Sequence, residues 1–248
     1  MPLPLSKHVT TDNLLLGSLS EPSLQLLQPY CVAVALPRGT VLYQPHHTPP
    51  FAYFLTTGIA SVVTTMEDGA TTEIEIIGHE GLVGALHLLG PAMVSTNCFM
   101  QLAGSGLRID FARLRDIYLA SPEVRNRVLE FVQEQALVVS QIAGCHRLHS
   151  AEQRLGLWLL MAADRTRSET LEFTQEFLAE MMGTRRTTVT AVATILQRKG
   201  LIQYQRGRIT ILTRPGLEAA ACDCYRVTHS LYAGLYLQSF HSGVLNGA

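Results

Sequence analysis

The sequence predicts an α+β protein in which a β-rich first half and a mixed, helix-rich last third are joined by one long helix. Three observations predict it. Between about residues 32 and 110, short alternating or β-branched runs recur between glycine-containing turns. From Ser121-Pro122 to about His149 an apolar helical period runs unbroken. Beyond residue 150, helical segments of ordinary length are followed by a hairpin signature. At 248 residues with 47% apolar side chains, the chain can supply a core for two modest domains.

The opening stretch, MPLPLSKHVTTDNLLL, has an early lysine but no continuous apolar run ending in a small-residue cleavage site. No stretch approaches the ~18 uninterrupted apolar residues of a membrane span. Neither export nor a membrane partner is expected. The five cysteines (Cys31, Cys98, Cys145, Cys222 and Cys224) are odd in number and scattered without CxxC spacing. A disulfide framework or structural zinc site is therefore not expected, and a reducing, cytoplasmic setting fits.

Residues 20–28 read as a short helix, with Ser20 as candidate N-cap and Pro22 in the first turn. The runs VAVAL, TVLY, FAYFL, IASVVTTM, TTEIEII, CFMQL and LRID then follow, separated by Pro37-Arg38-Gly39, Gly58, Asp68-Gly69 and Gly104-Ser105-Gly106. Closely spaced strands with glycine turns imply an antiparallel roll, barrel or sandwich, filling a first domain over residues 1–120.

Residues 121–149 form one helix of nearly eight turns, roughly 40 Å long at the standard rise. Val124, Val128, Phe131, Gln135, Val138, Ile142 and Cys145 follow the alternating four-and-three spacing of a coiled-coil seam. Leu129, Val132, Ala136, Val139 and Ala143 make a second apolar stripe beside it. Two arrangements are open: one stripe on its own domain and the other on a twin chain, or both in the core. In the dimer arrangement Gln135 would set the register.

Ser150-Ala151-Glu152-Gln153 is a capping-box pattern, so a new helix and a last domain, residues 150–248, start there and end in a helical tail. Within it, Leu178, Ala179, Met182, Gly183, Val189 and Val192 fall where two short crossing helices need them. Ala179 is small where the axes approach, and Gly183 is free to take a positive φ at the turn. Thr174 is a candidate N-cap ahead of Gln175, placing helix-terminal amides where a phosphate can sit. The pattern is a helix-turn-helix. Arg186, Thr187, Thr190, Ala191 and Thr194 lie on the face of the second helix opposite its core, where arginine can read guanine and methyl groups can meet thymine. Arg185, Arg198 and Lys199 suit phosphate contacts. IQYQ-RGR-ITIL reads as a hairpin wing with Arg206 and Arg208 flanking its tip, suited to backbone or minor-groove contact.

The formal charge of −1 hides an asymmetry. Residues 1–149 hold 8 Lys+Arg against 12 Asp+Glu (−4), and residues 150–248 hold 11 against 8 (+3). Between Glu180 and Glu218 there is no acidic residue, while seven arginines and lysines occur, a field that attracts a polyanion. Double-stranded DNA is the partner these features point to.

With Pro37-Arg38-Gly39, Gly58, the run from Gly78 to Gly84 (GHEGLVG) and FTQEFLAEMMG, TRRTTVTAV and LQRKGLI, allowing Phe173 and a few others for the family residues, the order of parts resembles the CRP/FNR family of bacterial transcription regulators across nearly the whole chain. EQRLGLWLLMAADR and LEAAACDCY look like a particular branch of it. The resemblance implies an eight-stranded cyclic-nucleotide-binding-like roll, a homodimer through residues 122–149, a winged helix-turn-helix reading a two-fold symmetric site, and contact with RNA polymerase in an activator. Cyclic-nucleotide-binding members carry an Arg-Ser/Thr-Ala element whose arginine neutralises the phosphate. Here the corresponding segment, residues 90–98, has no arginine, and no Lys or Arg occurs from Gly69 to Leu107. Cyclic AMP is therefore not the expected effector, and no cofactor is expected. A pocket formed by Gly78, Glu80, Gly81, Leu82 and Gly84 with Ser95, Thr96 and Asn97 remains able to take something polar. The family's oxygen sensors use an N-terminal cysteine cluster, and no cysteine precedes Cys31. Thr187 and Ala191 stand where many members have glutamate and arginine, so the usual operator is not implied.

Cys145 and His149 share a helix face at a legitimate metal-ligand spacing, but no third ligand lies near them in sequence, so no metal is expected. Cys222 and Cys224 are poor disulfide partners. Gly104-Ser105-Gly106 falls short of a nucleophile elbow, and no nucleophile–base set is present, so no enzyme is expected. The alternative function is a sensor module acting on a protein partner without DNA, which leaves the basic stretch unexplained.

Overall fold

The computed structural model describes residues 12–90 and 93–237, so most of the opening stretch, and Pro91 and Ala92 of the segment compared with the phosphate-binding element, lie outside the described residues. Two short helices, α1 (Leu14–Gly17) and α2 (Glu21–Leu27), lead through a 3-10 turn into the sheet. Ser20 is the N-cap residue of α2, as expected, but its side chain makes no capping hydrogen bond. Its hydroxyl and amide both donate to Glu123 of the later long helix, at 2.5 and 2.7 Å.

The sheet holds β1 (Val32–Leu36), β2 (Val41–Tyr43), β3 (Phe51–Thr65), β4 (Thr71–Ile77), β5 (Leu82–Val83) and β6 (Asn97–Asp110), all antiparallel in the order β1-β6-β3-β4, with β2 on β6 and β5 on β3. Gly58 and Gly104-Ser105-Gly106 are not turns, as their spacing suggests, but points inside two long strands of 15 and 14 residues. β3 and β6 pair from Phe51↔Asp110 to Val63↔Asn97, with register shifts on both sides of Thr57. Gly58 has φ 79°, and a Cβ on Gly104 would lie 2.1 Å from the Thr57 carbonyl oxygen. Only glycine permits so close a backbone crossing, and the irregularity sharpens the local twist. Each long strand thus stands where two short ones were expected.

The run LRID passes directly into α3 (Phe111–Ala120), which the sequence does not announce because no breaker separates strand from helix. Asp110 accepts from the Arg113 amide, and Phe111, Leu114, Ile117 and Tyr118 are buried. The long helix α4 (Pro122–Leu148) is capped by Ser121. Its coiled-coil-like stripe is spent inside the chain: Val124, Val128 and Phe131 join the roll core, and Val138 and Cys145 join the second core. Gln135 is buried within its own chain, beside Glu75, so it sets no register between twins. The second stripe faces outward, with Leu129, Ala136 and Ala143 exposed and Val132 and Val139 partly so.

α5 (Ala151–Thr166) opens with the full reciprocal capping box of Ser150 and Gln153. A strand the sequence did not suggest, β7 (Thr170–Glu172), precedes α6 (Gln175–Met181) and α7 (Arg186–Arg198). It joins β8 (Ile202–Gln205) and β9 (Arg208–Ile211) in a sheet of order β7-β9-β8. α8 (Arg214–Ala220) and α9 (Cys224–Leu237) follow. α9, reckoned with the last domain in sequence, returns to the roll. Leu235 and Tyr236 pack on its core, Tyr232 Oη lies 3.2 Å from His79 Nε2, and Tyr236 donates its hydroxyl hydrogen to the Glu80 carbonyl. Roll and last domain also share a core, where Ile59, Val63 and Ile76 meet Trp158, Met181 and their neighbours.

Candidate nucleic-acid interface

Thr174 accepts from the Phe177 amide at 3.2 Å and so caps α6. Ala179 is buried, Gly183 takes φ 55°, and the Thr184 amide donates to the Ala179 carbonyl at 2.9 Å, closing the turn between the crossing helices. Val189, Val192, Ala193 and Leu196 bury the inner face of α7. Arg186, Thr187, Thr190 and Ala191 are exposed on the other side, and Thr194 is half-exposed. Thr190 and Thr194 donate their hydroxyl hydrogens to the Arg186 and Thr190 carbonyls, and Thr190 also lies 2.8 Å from Gln175 Oε1. Their oxygens keep lone pairs, and their methyl groups remain available for thymine. Between β8 and β9, Arg206 and Gly207 both have positive φ (50° and 77°), the two-residue turn whose twist matches a hairpin. Arg206 and Arg208 are both exposed there.

The basic stretch is free of acid in sequence but not in space. Arg186 pairs with Glu176 at 2.6 Å, Arg208 with Glu172 at 2.9 Å and Lys199 with Glu152 at 2.6 Å. Such exposed pairs are each worth about 0–1 kcal/mol, so exchanging the carboxylate for a phosphate or guanine costs little. Arg185, Arg198 and Arg206 make no ion pair among the described residues. Arg214 is committed inside the fold, bound to Asp164, to Glu169 at 2.9 Å, to Glu218 at 3.1 Å and to the Tyr225 hydroxyl at 2.8 Å. Arg38, read in sequence only as part of a roll turn, reaches the same face. With Thr174, Gln203, Gln205, Arg206 and Arg208 it lines a groove of about 550 Å³. No local signal could have found it, because the partners lie beyond residue 170.

The expected effector segment is engaged by the chain itself. Gly78, Glu80, Gly81, Leu82 and Gly84 are all buried. Glu80 pairs with Arg165 of α5 at 2.9 Å and accepts from the Gly78 amide at 3.0 Å, rather than facing an open pocket. A Cβ on Gly81 would lie 2.4 Å from the Phe131 ring of α4. Of the other half, Ser95 is exposed, Thr96 Oγ1 lies 3.1 Å from the Tyr43 hydroxyl, and Asn97 Oδ1 is buried without a partner.

Around Arg165 the roll and the last domain share buried charge. Glu73 accepts from Ser61, Gln101 and Trp158, at 2.6, 3.0 and 2.7 Å. Burial pushes its carboxyl up to about 7 against those hydrogen bonds. Burial likewise pushes Glu134 up to about 7 and Glu75 to about 8, the latter with help from Glu134. A cavity of about 50 Å³ lies here, lined by Glu73, Glu75, Val138, Trp158 and Arg165 among others.

Two family models match the chain, the cyclic nucleotide-binding domain over residues 33–121 and the Crp-like helix-turn-helix domain over residues 153–220. No curated protein matches it. Among solved structures it is similar to FixK2 of Bradyrhizobium japonicum (TM-score 0.66, 12% identity, 77% of this chain and 98% of that one). It is also similar to the c-di-GMP-responsive global regulator CLP of Xanthomonas campestris (0.64, 14%, 78% and 100%) and to a CRP/FNR-family transcriptional regulator of Thermus thermophilus (0.63, 20%, 77% and 98%). No helix among the described residues is long and apolar enough to cross a membrane. With a sensor-type roll and a Crp-like helix-turn-helix in this order, the chain belongs to the CRP/FNR family of DNA-binding transcription regulators.

Proposed function

We propose that the protein acts in the cytoplasm as a homodimer whose two α7 helices read a two-fold symmetric operator, under the control of a polar effector other than cyclic AMP. The carrying observation is the two-sidedness of α7: Val189, Val192 and Leu196 are buried, while Arg186, Thr187, Thr190, Ala191 and Thr194 face away from the core. In this reading those five residues and Gln175 contact bases or adjacent phosphates. Thr174, Arg185, Arg198, Lys199, Arg206 and Arg208 hold the backbone. The exposed Leu129, Ala136 and Ala143, with Val132 and Val139 partly covered beside them, support pairing of two α4 helices, since these apolar groups are otherwise left in water. The arginine-free span from Gly69 to Leu107 supports an effector that carries no phosphate needing a cation.

Coupling is supported by two links from roll to last domain, the Glu80–Arg165 pair and α9. An effector that binds one arrangement of these links more tightly shifts the recognition helices with it. Contact with RNA polymerase follows where the operator places the dimer as an activator. Footprinting on genomic DNA, followed by gel shifts across a salt series, tests the reading. A steep salt slope on the recovered site supports it, and absence of binding at low salt favours a sensor acting on a protein partner. Light scattering of wild type and Ala136→Glu tests the dimer, and a wild-type monomer removes it.

A further inference from the structure

Away from the DNA-binding face, three cysteines and a histidine converge where the long helix ends. Cys145 and His149 lie one turn apart at the end of α4, and Cys222 and Cys224 flank Asp223 at the start of α9. Their four ligand atoms all lie within 4.8 Å of one another. Cys145 Sγ is 3.5 Å from Cys222 Sγ, and Cys224 Sγ is 3.5 Å from His149 Nδ1. A tetrahedral zinc ion, with Zn–S about 2.3 Å and Zn–N about 2.0–2.1 Å, places its donors roughly 3.5–3.8 Å apart, so the donors already stand close to the edges of that tetrahedron. All three cysteines are buried, and no disulfide joins them. The surroundings also match a metal centre. His149 turns its other nitrogen, Nε2, toward Asp223 Oδ1 at 3.5 Å, and Gln141 Nε2 lies 3.1 Å from Cys224 Sγ. A carboxylate behind a ligating histidine and a hydrogen bond to a ligating sulfur are what orient and tune such ligands.

We propose that Cys145, His149, Cys222 and Cys224 form a mononuclear tetrahedral Cys3His site for a thiophilic divalent metal, zinc, in place of the absence of metal expected from sequence. Three thiolates and one imidazole on one point suit a single zinc ion. On binding, the sulfur lone pairs go to Zn²⁺ and the thiol protons, up to three, leave to solvent, so the valence of the metal does not change. The ion would tie the last turn of α4 to the segment leaving the DNA-binding domain, next to the break at Ser150 from which α5 starts.

Full-length protein stripped of metal under reducing, anaerobic conditions would be titrated with Co²⁺ and then with Zn²⁺. The expected result is one Co²⁺ per chain with the intense visible bands of tetrahedral thiolate coordination, bleached by one equivalent of Zn²⁺, and a zinc-dependent rise in melting temperature. His149→Ala, at a partly exposed side chain, and Cys224→Ser should each weaken binding by about 10-fold or more, whereas Cys31→Ser, in the roll core, should leave the stoichiometry unchanged. Circular dichroism of His149→Ala confirms that its fold is intact. The proposal is overturned by a pale octahedral cobalt spectrum, by binding that His149→Ala and Cys224→Ser leave unaltered, by an iron–sulfur chromophore in anaerobically purified protein, or by a Cys145–Cys222 disulfide in protein that takes up no metal once reduced.

Discussion

Replacing Arg165 by methionine is the most informative perturbation of the link between sensor and DNA-binding domain. Arg165 is 8% exposed, sits on α5, and pairs with Glu80 of the roll at 2.9 Å while its Nε also donates to the Ile76 carbonyl at 3.2 Å. Glu73, Glu75 and Glu134 surround the same guanidinium, and it holds their carboxyls lower than burial alone would. Methionine matches much of the side-chain volume but leaves Glu80 buried without a counter-charge, which costs about 3–5 kcal/mol. For a chain of this size that is a fall of roughly 6–20 °C in Tm, at about 2–4 °C per kcal/mol. The double variant Glu80→Gln/Arg165→Met removes both charges and should recover most of the loss, since a buried pair is offset by its own desolvation. Urea unfolding and thermal melts of wild type, both single variants and the double variant close the cycle. A single-variant cost below about 1 kcal/mol, or a double variant as unstable as Arg165→Met, would refute the assignment of Arg165 as the counter-charge of this cluster.

Three further outcomes are expected. Glu73 and Glu134, raised to about 7 from an ordinary 4.5, bind more protons folded than unfolded, so their contribution is complete below the ordinary value and is lost as pH rises through about 7. Tm should therefore decline between about pH 5 and about pH 8, and Glu134→Gln should flatten that decline. A rising profile that Glu134→Gln leaves unchanged would contradict the shifts. Gly81→Ala should cost about 1–3 kcal/mol by overpacking, because the added Cβ meets the fully buried Phe131 ring and Ile77 at 2.4 and 2.8 Å. A thermal melt within about 1 °C of wild type, below the roughly 2–4 °C expected per kcal/mol, would show that the ring can yield. Arg186→Ala should cost about 1–3 kcal/mol on the specific site and relax one base pair, whereas Arg208→Ala should weaken specific and random DNA alike and lower the salt slope by about 1. Equal losses of both variants on both DNAs, measured by gel shift, would dissolve the division into base and phosphate contacts.

Where spacing along the chain is itself the physical cause, it was legible. The period of α4, the Ser150 cap, the Gly183 turn and the wing at Arg206-Gly207 are each decided by neighbours within a few residues. Gly58 and Gly104 show where this stops: a glycine read as a turn and a glycine needed for a close strand crossing look alike until the partner strand is known. α3 and β7 were missed for local reasons: no breaker separates α3 from the strand run ahead of it, and β7, at three residues, is too short to show a period.

By itself, the sequence determined the order of parts and the chemistry of α7, because apolar residues at helical spacing must bury one face and leave the arginine and threonines on the other. Tertiary structure alone decided which stripe of α4 stays free, where Arg38 and the pairing carboxylates sit, that Glu80 meets Arg165 instead of an open pocket, and that Cys145 and His149 meet Cys222 and Cys224. Each of these is a contact between side chains far apart in sequence, set by how α4, α5 and α9 pack on the roll.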